Sequence, residues 1–205
     1  MARKTKLEAA QTRMQIIDAA RKVFSERGVS RTTFEQIATA AGVTRGAIYW
    51  HFANKSDLFF AMRDQVSLPL IDRIDASLPS ENIHDPLQGI IATLTEILRA
   101  LEEDETTRLT FEIMTLKCEY VDDFSASLDK VMKPGNDFMQ KLVPAYTFAK
   151  QKNLLREDLD PALLALGSYT FMHGLIRLWL SDTEGTVIRK KAKLLVEAHV
   201  NACKK

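Results

Sequence analysis

No stretch of this chain alternates apolar and polar residues with a period of two, while apolar residues recur at spacings of three and four almost from end to end. A half-buried strand needs the first period, and a helix needs one near 3.6 to gather its apolar residues on one side. The pattern predicts an all-α fold, and its interruptions divide it into about nine helices. The first runs from about Glu8 to Arg27, with Ile16, Ile17, Ala20, Val23 and Phe24 on one face and Gly28 in the C-cap position. In "TTFEQIATAAG", Thr33 and Gln36 have the spacing of a capping box, and Phe34, Ile37, Ala38 and Ala41 form the apolar stripe. Only Val43 and Thr44 then separate Gly42 from another short helix, with Thr44 as N-cap and Ala47, Ile48 and Phe52 turned inward. Asn54 and Asp57 open a longer helix by the same capping logic.

Two short helices joined by a tight glycine turn and braced by a longer one make a helix-turn-helix at about residues 33–52. It predicts a DNA-binding domain over 9–69, followed by a larger helical body over 70–205. In that body a loop is expected around Pro79, and Asp85-Pro86 caps a helix to about Glu102. Helices follow at about 106–120 and 123–152, the latter expected to kink or break at Pro134 and Pro144. Asp160-Pro161 opens the most apolar helix, to about Ser181, and a last helix covers about 186–202. The run from Ala162 to Leu180 contains His173 and Arg177, so it is expected to be a buried core helix and no membrane partner is expected. Its near all-round apolar surface suits a helix that serves both a core and a dimer seam, so a homodimer is expected.

The net charge of +1 averages two unlike parts. Residues 1–64 carry eleven Lys/Arg against six Asp/Glu, while the rest of the chain has an acidic excess. Such asymmetry points to a polyanion partner for the N-terminal third alone. Cys118 and Cys203 stand far apart with no CxxC pattern, and "MARKTKLEAAQTR" has no secretory leader, so a cytoplasmic protein is expected. There is no GxGxxG, P-loop, HExxH or GxSxG pattern and no metal-ligand spacing among the four histidines. No catalytic residue, cofactor or metal is therefore assigned, and Cys118 is taken as structural rather than as a reactive thiol.

In a helix-turn-helix the second helix lies in the major groove of double-stranded DNA. Arg45, in its first turn, has the reach for a guanine edge, and Gly46 leaves room for close approach. Tyr49 and His51 are placed to bond phosphates or touch a thymine methyl. Thr33, Thr44 and Lys55 stand at helix N-termini, where backbone N–H groups already favour anions. Arg3, Lys4 and Lys6 supply a basic arm. A two-fold dimer would require an inverted-repeat operator.

The segment "TRMQIIDAARKVFSERGVSRTTFEQIATAAGVTRGAIYWHFANKSDLF" resembles the N-terminal DNA-binding domain of the TetR/AcrR family of bacterial repressors over residues 10–65. "MARKTK", "VTRGAIYWHF" and "EIMTLKCEYVDD" resemble, further, the subgroup that controls multidrug efflux pump operons. That resemblance implies an all-helical homodimer in which 70–205 is the ligand-binding and dimerisation domain, released from DNA by small lipophilic or aromatic inducers. In the body, Thr170, His173 and Arg177 share one face of the apolar helix, with Met172 beside them, and Phe111, Thr115 and Cys118 form a mixed stripe on the 106–120 helix. These residues, with Glu112 as partner for Arg177, are the expected inducer site, the methionines adding adaptable surface. The same architecture would serve a regulator of a metabolic operon or an activator; a helical enzyme or adaptor is the remaining alternative.

Overall fold

The computed structural model describes residues 6–77, 85–120, 124 and 128–205, with Ser77 and Leu128 described by their backbone alone. The basic arm at Arg3 and Lys4 and the loop around Pro79 lie outside these residues. Among the described residues there are nine α-helices: α1 (Lys6–Arg27), α2 (Phe34–Ala41), α3 (Arg45–His51), α4 (Lys55–Ser77), α5 (Pro86–Glu103), α6 (Glu105–Leu116), α7 (Leu128–Gln151), α8 (Pro161–Ser181) and α9 (Ile188–Asn201). The sole β pairing among them is an isolated bridge between Leu155 and Lys204.

The chain forms two units. The first holds α1, α2, α3, α4 up to Leu68, and α6 from Thr106; the second holds α4 from Pro69, α5, α7, α8 and α9. The expected body over 70–205 thus contains α6, which from Thr106 belongs to the first unit. The reason lies on α1, where Arg21 is only 6% exposed on an otherwise apolar face. A buried guanidinium must be paired. Its Nε donates to Thr110 Oγ1 at 3.0 Å, its Nη1 to Asp18 at 2.8 Å and its Nη2 to Gln65. The far end of α6 is also tied down: Val29 N–H donates to the Lys117 carbonyl at 2.9 Å, and Lys117 Nζ donates to the Ser25 carbonyl at 2.5 Å. Phe59 adds an edge-on contact with Phe124, ring centroids 5.0 Å apart.

In the second unit α5 packs against α9, and Leu87, Ile90, Leu94 and Leu101 of α5 and Ala192, Val196 and Val200 of α9 are all buried. Arg73 of α4 joins α5 through Glu96 at 2.6 Å and Glu103 at 3.3 Å. The helix α7 runs unbroken through Pro134 and Pro144. Each proline strips the hydrogen bond from the carbonyl four residues earlier, on Lys130 and Gln140, and both of those residues are exposed, where water can replace it. Pro69 also lies inside α4 without ending it. The start of α9 is held by Asp182, whose carboxylate accepts the N–H groups of Thr186, Val187, Ile188 and Arg189, and these bonds hold its pKa below the usual range.

One polar chain crosses the apolar interior of this unit. Tyr146 OH lies 2.7 Å from Ser168 Oγ, which lies 3.0 Å from His199 Nε2. The His199 ring stacks parallel on Phe171 at 4.2 Å. Burial pushes the Tyr146 hydroxyl up to about 12 and lowers the pKa of His199, so both stay neutral at pH 7. Ser168→Ala would orphan the buried Tyr146 hydroxyl. Leaving one buried hydroxyl unpaired costs about 1–3 kcal/mol. Urea denaturation should show that loss, and adding Tyr146→Phe, which removes the orphan itself, should recover much of it.

Candidate nucleic-acid interface

Local rules place α2 and α3. Thr33 takes an extended conformation and its side chain accepts the Gln36 N–H at 3.3 Å, while Gln36 Oε1 accepts the Thr33 N–H at 3.0 Å. This completes the capping box. At the other end Gly42 has φ of 64°, a left-handed conformation that reverses the chain at little cost to a residue without Cβ. Thr44 then caps α3, its oxygen accepting the Ala47 N–H at 3.2 Å.

The phase of α3 is set by Ile48, which is fully buried. Trp50 stands two residues on, about 200° around the helix, and so must point outward. It is 73% exposed, the most exposed of the large hydrophobic side chains among the described residues, with the His51 ring edge-on at 4.5 Å. Packing among the described residues gives no reason for an indole there. Trp50 belongs with the outward face of α3, and the phase of Ile48 and Phe52 in the sequence was the signal for it.

Arg45 and Tyr49 share that face. Arg45 Nη2 donates to Tyr49 OH at 3.0 Å, and the guanidinium carbon lies 5.4 Å from the Tyr49 ring centroid. The Tyr49 ring is set edge-on against Phe34 of α2, centroids 5.1 Å apart. Thr33, Glu35, Arg45, Tyr49, Asn54 and Lys55 border an open cleft of roughly 520 Å³. A Cβ on Gly46 would meet only Thr44 Oγ1, at 3.8 Å, so the chain itself leaves space for a larger residue there. The end of α3 is braced from behind by Arg13 of α1, which lies 5.0 Å over the Phe52 ring.

Lys55 differs from expectation. Its Nζ donates to the Ser30 carbonyl at 3.0 Å and the Thr32 carbonyl at 3.1 Å. Two of three ammonium N–H groups thus clamp the α1–α2 turn to the start of α4, leaving one for an external anion. The orphan carbonyls of a tight turn competed for that cation, which helix-start spacing alone does not reveal.

A family model described as "Bacterial regulatory proteins, tetR family" matches residues 16–62. A second, "MAATS-type transcriptional repressor, C-terminal region", matches residues 85–204. The chain belongs to the TetR family of bacterial regulatory proteins. TtgR of Pseudomonas putida, an HTH-type transcriptional regulator, is 39% identical over 180 residues, 88% of this TetR-family chain and 85% of that protein. The crystal structure of NalD, described as the secondary repressor of the MexAB-OprM multidrug efflux pump in Pseudomonas aeruginosa, has a TM-score of 0.84 at 30% identity over 96% of this chain and 98% of that one. The SmeT–triclosan complex has a TM-score of 0.80 at 30% identity over 95% of this chain and 92% of that one.

The expected inducer residues of this TetR-family chain are divided between the two units. Phe111, Glu112 and Thr115 are half-buried on α6, in the first unit, whereas Met172, His173 and Arg177 are on α8, in the second. Glu112, expected to pair with Arg177, is salt-bridged to Lys117 at 2.6 Å. Cys118 lies beyond the end of α6, because the chain turns away after Leu116 and the Lys117 carbonyl is taken by Val29. Burial raises the pKa of its thiol, the opposite of what a reactive thiolate requires. On α8, Met172 is buried but Thr170, His173 and Arg177 are exposed, so the polar stripe is on the outer face of a half-buried helix. A helix apolar all round does not distinguish the face covered by its own unit from one that needs another cover.

That outer face is unusual. Leu163, Leu166 and Leu178 are 62%, 44% and 55% exposed, and on α9 Leu194 is 63% exposed. Gly167 and Gly174 lie among the leucines, and a Cβ added to either would meet nothing within 4 Å. Mid-helix glycine costs about 1 kcal/mol against alanine, and neither position has a packing reason among the described residues. α8 also has the length and hydropathy of a membrane span, 1.2 on average, although a third of that window is buried in the unit.

Proposed function

We propose that this chain is a ligand-responsive repressor of a multidrug efflux operon, working in the cytoplasm as a homodimer on an inverted-repeat operator and released by small lipophilic compounds. The observation that carries the reading is the likeness along nearly the whole chain, body included, to proteins described as efflux repressors, one of them in complex with triclosan. A shared DNA-binding domain alone would have left the regulated function open.

The dimer accounts for the outer face of α8 and α9. Leucines at that exposure are covered by an equivalent face, and glycines with open space above them admit close approach of a second helix. His173 and Arg177 then belong to the subunit seam rather than to an inducer cavity. Phe111 and Thr115 remain the candidates for inducer contact. On the DNA side, Arg45 reads a base edge, Gly46 lets the backbone approach, and Thr33, Thr44 and His51 grip phosphates, with Tyr49 and Trp50 beside them. Lys55 acts first as a clamp and only secondarily as a phosphate ligand.

An inducer shifts the equilibrium only by its differential affinity for the two states. A ten- to hundredfold loss of operator affinity needs roughly 1.4–2.8 kcal/mol of coupling, and burial of one aromatic ligand supplies that much. The test is fluorescence anisotropy of a labelled operator, titrated with triclosan and planar cationic dyes. At least one compound should weaken operator binding tenfold or more. A protein that binds operator and responds to none of them would contradict the efflux reading while leaving DNA binding intact.

A further inference from the structure

We infer that Tyr49 is a positioning residue, which holds Arg45 in the orientation that reads a base, rather than principally a phosphate ligand. The inference rests on α3 being the DNA-reading helix and deepens that assignment. An arginine in the first turn of a seven-residue exposed helix has no packing of its own to fix it. Arg45 is nevertheless held at two points by one neighbour: a 3.0 Å hydrogen bond from Nη2 to Tyr49 OH, and the Tyr49 ring face 5.4 Å from the guanidinium carbon.

Tyr49 can hold because it is itself held. Its ring is edge-on to Phe34 at 5.1 Å, and Phe34 is 9% exposed in the core of the first unit. The column Phe34–Tyr49–Arg45 thus ties the reading cation to the core through two aromatic rings. Tyr49 is at the same time 50% exposed, so its position is not explained by a need to bury it. The valences suit a relay: the hydroxyl oxygen accepts from Arg45, and only one of the five guanidinium N–H groups is used. The remaining four still permit the paired hydrogen bonds to guanine O6 and N7. The hydrogen bond to Tyr49 is the main influence favouring the charged form of Arg45, and Glu35, which borders the same cleft, adds to it, so a guanidinium released by Tyr49 would have an acid to swing towards.

Ordering a rotamer-rich side chain before the encounter removes an entropic penalty that binding would otherwise meet, roughly three- to tenfold in affinity for one side chain. A hydroxyl that merely gripped a phosphate would strengthen all DNA alike, since phosphate contacts carry no sequence information. The two roles therefore separate experimentally.

The experiment compares wild type, Tyr49→Phe, Arg45→Ala and the double variant. Base preference is read by selection from a fully randomised duplex library, and affinity by anisotropy on the selected duplex and on an unrelated one. Tyr49→Phe retains the ring and its contact with Phe34; its helicity and unfolding midpoint should match wild type. It should bind the selected duplex roughly three- to tenfold more weakly, bind the unrelated duplex within about twofold of wild type, and flatten preference at the position that Arg45→Ala also flattens. Combined with Arg45→Ala it should add nothing further. Equal losses on both duplexes, an undiminished effect in the Arg45→Ala background, or no effect of Tyr49→Phe at all would overturn the inference. A wild type that selects no sequence would instead defeat the assignment of α3 on which it rests.

Discussion

Leu178→Glu combined with Leu194→Glu should give a chain that folds but sediments as a monomer and binds operator DNA about two orders of magnitude more weakly. Both side chains are more than half exposed, so neither substitution opens a cavity within the second unit. In a two-fold assembly each glutamate would meet its own copy or an apolar neighbour across the axis, and burying such a charge is not tolerated. Joining two reading heads raises the effective concentration of the second, worth roughly 10²–10⁴ in apparent affinity when the geometry fits. Loss of the dimer forfeits that factor without touching α3. Sedimentation with operator anisotropy checks the result. A wild-type chain that remains a 23.2 kDa monomer at micromolar concentration would remove the need for a seam, and a double variant that stays dimeric would put the seam elsewhere.

Arg45→Ala should carry the second largest effect, a roughly tenfold to hundredfold loss of preference for operator over non-operator DNA. Arg45 is on the surface of α3 and makes no contact with the core, so unfolding should be unchanged. Non-specific binding, which draws on phosphates and counterion release, should weaken only slightly. Binding curves on operator and scrambled duplex at two salt concentrations separate the terms. If both duplexes weaken together, Arg45 contacts the backbone and the base-reading residue is elsewhere on α3.

Much of this was legible because local chemistry and tertiary structure agree in the N-terminal third. The Thr33 capping box, the Gly42 reversal and the Thr44 cap each name their own partner within a few residues, and the structure has them where the spacing requires. Trp50 was equally legible from helical phase. What was not legible depended on partners distant in the chain. Arg21 needed Thr110, 89 residues away, and that need brings α6 to the first unit. Lys55 was bound by carbonyls of a turn more than twenty residues earlier, with no signature of its own. The polar stripe on α8 shows a different limit. Periodicity shows which residues share a face, as Thr170, His173 and Arg177 do, but not what covers it.

Two copies of α3 should read two half-sites, and DNA selection tests that most directly. The full-length protein is incubated with a fully randomised duplex library, bound molecules are enriched, and the complex on the selected duplex is weighed by sedimentation. The predicted result is an inverted repeat with half-site centres about one helical turn or slightly more apart, occupied by an even number of chains. A single unrepeated site occupied by one chain, or no enrichment at all, would contradict it.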